Sequence, residues 1–327
     1  MRSVTGLHHV TAIAGNAQEN LDFYAGVLGM RLVKRSVNQD DPHTYHLFYA
    51  DAAGSPGSDL TFFPWEQLAP SLKGHGLSVE VALALPEGAL DYWYPRRARY
   101  GVPLGDVETR FGDRTLRFVD PHGLELALVE SASGGRRPFE AWHESPVSPD
   151  VQIRGLESTR LYERQLAPTL DFLTAAFGLE LLAEEADWQR WGLPGGGSGR
   201  YLDVQETPLA PRGRWGTGAI HHVAWRVDDE EHELAVREQI AGTGMRPTPV
   251  IDRFWFRSVY AKEPGGALYE IATDGPGFGV DEAMDQLGQA LVLPPWLESE
   301  RADIEQALPV LDLEGARERH RDGDETR

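Results

Sequence analysis

Cysteine does not occur among the 327 residues. That excludes a disulfide framework and a thiolate zinc site, so any metal must be held by His, Asp, Glu or Tyr. Cations are scarce as well: 31 Lys and Arg stand against 51 Asp and Glu, a formal net charge of −20. Nucleic acid and anionic membrane surfaces both select clustered Lys and Arg, so neither is an expected partner. No apolar run approaches the ~20 residues that span a bilayer. The opening residues lack the basic, apolar and small-residue succession of a signal peptide, and a cytoplasmic protein is expected. What is present is a soluble composition, 41% hydrophobic and 25% charged, with length enough for two ordinary domains.

One phrase occurs twice: Gly6-Leu7-His8-His9-Val10-Thr11-Ala12-Ile13 opens the chain, and Gly218-Ala219-Ile220-His221-His222-Val223-Ala224-Trp225-Arg226-Val227 returns late in it. Both read as strands. Each begins a block of the same grammar, strand, helix, then three strands. In the first block a helix capped by Asn20, with Leu21, Tyr24, Ala25, Val27 and Leu28 as its apolar stripe, stops at Gly29. Strands Arg31 to Val37, Thr44 to Ala50 and Asp59 to Pro64 follow. Similar blocks start at Leu77 and Val151, and the fourth carries strands Thr248 to Asp252, Trp255 to Ala261 and Leu268 to Thr273. Residues 131–150 lack periodicity and read as a linker. The expected fold is α+β: four βαβββ modules paired into two open barrel-like cups. The expected division is 1–135 and 150–275, two modules each, with an extension over 276–327. Its last stretch, Glu314 to Arg327, is dense in charge and is expected to fray.

Neighbouring side chains on a strand point to opposite faces. His221, Val223, Trp225 and Val227 form an apolar set suited to a helix-covered side, which leaves His222, Ala224 and Arg226 facing the cup. By the same register His9 faces the cup and His8 does not. In Leu268-Tyr269-Glu270-Ile271-Ala272, Tyr269 and Ile271 suit the helix side, so Glu270 faces the cup. A carboxylate among apolar residues needs a partner, since burying it alone costs several kcal/mol. Two His and one carboxylate match the open facial set of non-haem Fe(II) oxygenases. A lone strand histidine is more often an ordinary core residue; two at matching places in a repeat, with a mid-strand Glu, outweigh that reading. His43, His46, His75, His122, His143 and His232 have no such partner spacing and read as surface or structural.

These residues resemble the vicinal oxygen chelate superfamily of glyoxalases, extradiol dioxygenases and resistance proteins, and within it the hydroquinone ring-cleaving dioxygenases. The resemblance runs from about residue 6 to 310. Further phrases that carry it are Phe23-Tyr24, Leu28-Gly29-Met30-Arg31-Leu32-Val33-Lys34-Arg35, Tyr45-His46-Leu47-Phe48-Tyr49-Ala50-Asp51, Thr109-Arg110-Phe111-Gly112 and Pro264-Gly265-Gly266 before Glu270. It implies Fe(II), sometimes Mn(II), on His9, His222 and Glu270, with O2 as co-substrate and a small aromatic substrate. It implies further roles for His8, Thr11, Arg253 and Tyr260, and a structural cup from the two middle blocks, which lack a first-strand histidine. Homo-oligomers are left open. Two rival readings remain. A glyoxalase-like lyase or isomerase would want a carboxylate within Leu60-Thr61-Phe62-Phe63, and none is there. A binding protein sequestering an aromatic compound would need no metal.

Overall fold

A computed structural model describes residues 1–103 and 105–320. The first module runs β1 (Gly6–Ala14), α1 (Ala17–Leu21, continued by a π-helical turn Asp22–Val27), β2 (Arg31–Asn38), β3 (Asp41–Ala50) and β4 (Asp59–Pro64). The second runs β5 (Leu77–Leu85), α2 (Leu90–Arg99), β6 (Val107–Arg110), β7 (Asp113–Val119) and β8 (Glu125–Glu130). After α3 (Ala132–Arg136) comes the third: β9 (Gly155–Glu163), α4 (Leu166–Phe172, continued by a π-helical turn Leu173–Phe177), β10 (Glu180–Glu185), β11 (Trp188–Gly192) and β12 (Tyr201–Glu206). The fourth has β13 (Ile220–Val227), α5 (Glu230–Gly242), β14 (Ile251–Asp252), β15 (Arg257–Lys262) and β16 (Leu268–Thr273). Helices α6 (Arg301–Ala307) and α7 (Leu313–Glu318) follow.

The strands form two curled eight-stranded sheets, so the expected α+β class and paired cups are what is found. The two middle modules share a cup, as the resemblance implied, so the cups cut across the division into 1–135 and 150–275. One sheet joins the fourth module to the first through antiparallel β13 and β1, and the other joins the third to the second through β9 and β5. Each cup therefore takes one module from 1–135 and one from 150–275. The first and second modules lie in different sheets, as do the third and fourth, because their first strands pair across the chain, β1 with β13 and β5 with β9.

Alternation sorts each strand's side chains between core and cup. In β3, Tyr45, Leu47 and Tyr49 join the main core, while Phe48 joins a second cluster with Trp255, Phe256, Phe278 and Leu287. Several local expectations are corrected. The first helix is capped by Asn16, whose side chain accepts from the Gln18 and Glu19 amides; Asn20 is buried and accepts from the Tyr49 hydroxyl at 3.0 Å. Gly29 ends the π turn at φ 67°, a left-handed conformation open to glycine. Residues 253–256 are a tight turn rather than strand, closed by Arg253 N donating to Phe256 O at 3.0 Å and holding Phe254 at φ 74°. The 131–150 stretch is tied down: Arg137 donates to Gly57 O at 2.9 Å and also to Leu156 O. The charged end is ordered as far as residue 320, because α7 buries Ala316 completely and Arg319 pairs with Asp22 at 2.6 Å. The rest of the expected frayed stretch, 321–327, lies outside the described residues. Among the described residues no helix is long and apolar enough to cross a membrane.

Candidate metal centre

β1 and β13 lie side by side at the centre of the first sheet, flanked by β4 and β16. His9 pairs with Ala224, and Ala224 pairs with Glu270, so the three share one row and one face. His222 precedes Ala224 by two residues and points the same way. The donor atoms of His9, His222 and Glu270 lie within 4.8 Å of one another, all buried. Glu270 Oε2 is 2.9 Å from His222 Nε2 and 3.3 Å from His9 Nε2, and the two Nε2 atoms are 3.3 Å apart.

The proton positions around His9 follow from its neighbours. His8 Nε2 is 3.1 Å from the Thr273 carbonyl oxygen, which only accepts, so His8 carries its proton there. Burial, then the His9 ring, lowers His8 to about 3, so it is neutral and its Nδ1 accepts. His9 Nδ1, 2.9 Å away, therefore donates to it, and His9 Nε2 presents a lone pair to the centre. His222 has the same kind of neighbour: its Nδ1 is 2.8 Å from His221 Nδ1. Glu270 Oε1 accepts from the Ser258 hydroxyl, while Oε2 is buried without a hydrogen bond.

Charge is opposed by burial at each of these groups. Burial lowers His222 even with Glu270 beside it. For Glu270 burial works upward, but the facing His9 and His222 rings outweigh it and hold the carboxyl well below the usual range. A lone pair, a carboxylate and a second imidazole thus converge where the orphaned Oε2 needs a cation. Ligands ~2.1 Å from one ion at near right angles stand ~3.0 Å apart, which the observed spacing matches. The residues fit a divalent metal.

Tyr260, on β15, lies directly opposite Glu270. Arg253 Nε donates to its hydroxyl oxygen at 3.3 Å, and Arg253 Nη2 donates to Asp40 Oδ2 at 2.9 Å. Burial first, then the Glu270 charge, raises Tyr260 and keeps it protonated; Tyr260 and Asp40 keep Arg253 charged against its own burial. Thr11 Oγ1 is 2.8 Å from Thr61 Oγ1. A cavity of about 380 Å³, its open mouth included, adjoins the triad. Phe48, Phe63, Trp255 and Phe256 line it, with Asn38, Gln39, Asp40 and Arg253 also contributing.

Residues 6–128 match a family model described as the Glyoxalase/Bleomycin resistance protein/Dioxygenase superfamily. The chain is 42% identical over 307 residues to MhqO of Bacillus subtilis (strain 168), named as a supposed ring-cleaving dioxygenase, covering 94% of this chain and 96% of that relative. The chain belongs to this superfamily. It is also 31% identical over 309 residues to the chlorohydroquinone/hydroquinone 1,2-dioxygenase of Sphingobium indicum, covering 92% of this chain and 95% of that one. A crystal structure of a supposed dioxygenase from Bacillus subtilis superposes with a TM-score of 0.89 at 41% identity, covering 96% of this chain and 99% of that chain. Glyoxalase I from Zea mays, at 14% identity, a TM-score of 0.61 and 82% and 92% coverage, shares the fold.

Within this superfamily fold the second cup is filled instead of open. Glu80, Arg160 and Asp203 occupy the row that holds His9, Ala224 and Glu270 in the first cup. Arg110 grips Glu80 at 2.5 and 3.1 Å, and Arg190 grips Asp203 at 2.7 and 3.0 Å, so guanidinium groups supply the positive charge there. Among the described residues the first cup holds the one converging His and carboxylate group. Sequence reasoning left out Ser258, which orients Glu270, and misplaced His46, which lines the cavity. The alternation used for β1 would have found His46, since it shares its face with Phe48. His8 also departs from the helix-side reading. A β-bulge between Leu7 and His9 breaks the alternation and brings its ring beside His9.

Proposed function

We propose that the chain is a ring-cleaving dioxygenase that opens a hydroquinone-type or catechol-type aromatic ring with O2, using Fe(II), or Mn(II), held by His9, His222 and Glu270. The observation that carries this reading is the buried convergence of these donors, with Oε2 unpartnered, against an aromatic-walled cavity. Two His and one carboxylate leave coordination positions for both reactants. Bound there, Fe(II) supplies one-electron exchange between an aromatic ring and O2. The protein does the rest. Phe48, Phe63, Trp255 and Phe256 enclose the ring and limit water. Tyr260 holds its proton and offers its hydroxyl to a ring oxygen. Arg253, fixed by Asp40, keeps a positive charge beside that hydroxyl and stabilises negative charge on oxygen. His8 fixes the His9 ring, and Thr11 braces the neighbouring wall through Thr61.

A lyase reading loses support at Thr61. It lies opposite Thr11 on β4 as Glu270 lies opposite Ala224 on β16, and its neutral hydroxyl does not supply the second carboxylate that reading wants. The test is O2 uptake by anaerobically Fe(II)-loaded protein offered hydroquinones and catechols. Uptake that disappears in His222→Ala is expected. Metal-loaded protein inert toward every diol would sink the reading, and tight aromatic binding by metal-free protein without turnover would replace it with a sequestering role.

A further inference from the structure

The first cup has two similar flanks, and His46 stands on the flank that the triad leaves unused. Phe48 lies opposite Thr61 as Tyr260 lies opposite Glu270. Thr61 is thus the counterpart of Glu270, and His46, two residues before Phe48, is the counterpart of Ser258. The counterpart pair keeps its hydrogen bond: His46 Nε2 and Thr61 Oγ1 are 2.9 Å apart. Thr61 Oγ1 also lies 2.8 Å from Thr11 Oγ1, and Thr11 is fully buried.

This short chain has one arrangement that leaves no hydroxyl hydrogen stranded. Thr11 has no other side-chain partner among the described residues, so it donates to Thr61. Thr61 then donates to His46 Nε2, its remaining neighbour. The reverse order would bury the Thr11 O–H unpaired, which is unfavourable. His46 therefore accepts at Nε2 and carries its proton on Nδ1. That nitrogen has no protein partner among the described residues, and the ring lines the cavity. Phe48 and Phe63 clamp the ring at centroid distances of 3.8 and 4.5 Å. Burial holds the ring well below the usual imidazole range and keeps it neutral.

We propose that His46 is a specificity-determining residue: its Nδ1–H donates to the second ring oxygen of an aromatic diol whose first oxygen sits beside the triad. The proposal rests on the ring-cleaving reading above. It makes a diol, with an acceptor oxygen at that place, a better ligand than a monophenol.

Anaerobic titration of the Fe(II)-loaded protein with hydroquinone and with phenol, followed by tryptophan fluorescence, tests this. Trp255 in the cavity wall is the reporter. Wild type is expected to prefer hydroquinone. His46→Phe is expected to weaken hydroquinone roughly ten- to hundredfold, to change phenol by less than about twofold, and to keep its full metal content. His46→Gln, whose amide can donate, should recover part of the loss. Equal hydroquinone affinity in wild type and His46→Phe overturns the proposal and leaves the dioxygenase reading standing. Wild type that neither binds nor oxidises any diol overturns both. A measurement independent of variant folding is nitrogen–proton correlation of the His46 ring in metal-free wild type. A proton on Nδ1 supports the assignment, and a proton on Nε2 overturns it.

Discussion

His9 can offer Nε2 to a metal because His8 accepts the proton on Nδ1, and His8 can accept because Thr273 holds its other nitrogen. Removing that acceptor while keeping ring shape should therefore act on the metal and not on the fold. His8→Phe is expected to lower metal affinity roughly ten- to hundredfold. Competition against a chelator measures it, and the melting temperature of metal-free protein serves as the control. Unchanged metal affinity would mean that the His9 tautomer is set some other way. The periodicity of β1, β13 and β16 put His9, His222 and Glu270 on one face, and their donor atoms lie within 4.8 Å of one another. It could not place His8, which depends on a bulge in β1, or the proton of His46, which depends on Thr61 arriving from another strand.

The extension after β16 acts as a strap across the first module. Phe278 and Leu287 pack with Val33, Phe48, Trp255 and Phe256, and so back the cavity wall. The strap is pinned by Lys34 on β2, whose fully buried ammonium donates to Asp281 at 2.7 Å, Glu282 at 2.5 Å and the Phe278 carbonyl at 3.1 Å. Trp255 donates to Asp281 at 3.0 Å, tying the 253–256 turn to the same strap. Lys34→Met leaves two carboxylates without their cation and is expected to cost about 3 kcal/mol of unfolding free energy in urea denaturation. Faster proteolysis within 276–300 should accompany it. A loss under about 1 kcal/mol would show that apolar packing alone seats the strap. Charge density made the end of this extension read as disordered, yet α7 docks on the first helix through Ala316 and Arg319. A helix that short shows no sequence period strong enough to be read.

Between the two cups, β9 of the second ends on Glu163, which presses against the Pro264-Gly265-Gly266 turn of the first. A side chain at Gly265 would begin 1.8 Å from Glu163 Oε2. Glu263 accepts from the Gly265 and Ala267 amides at 2.8 Å each and from Thr169 at 2.7 Å, so it is well satisfied as a carboxylate. Burial first, then Glu263, raises the Glu163 carboxyl, with Arg212 opposing. A carboxyl raised on folding contributes stability that is complete below its unfolded value and is lost as pH climbs through its folded value. Wild type should therefore lose stability on going from pH 5 to 8, and Glu163→Gln, neutral throughout, should lose less. Melting temperatures across that range decide it; parallel profiles for the two proteins would refute the raised Glu163 carboxyl.

The sequence by itself determined the module grammar, the four-fold repeat and the facing of His9, His222 and Glu270. These depend on periods of 2 and 3.6 residues that each segment carries internally. Tertiary structure decided through which strands the modules join, β1 to β13 and β5 to β9, since strand edges are chosen by partners far along the chain. It also decided the turn at 253–256, the proton positions on His8, His9 and His46, and the filling of the second cup by Arg110, Arg160 and Arg190. Each of those depends on a hydrogen-bond or charge partner that no local pattern of residues specifies.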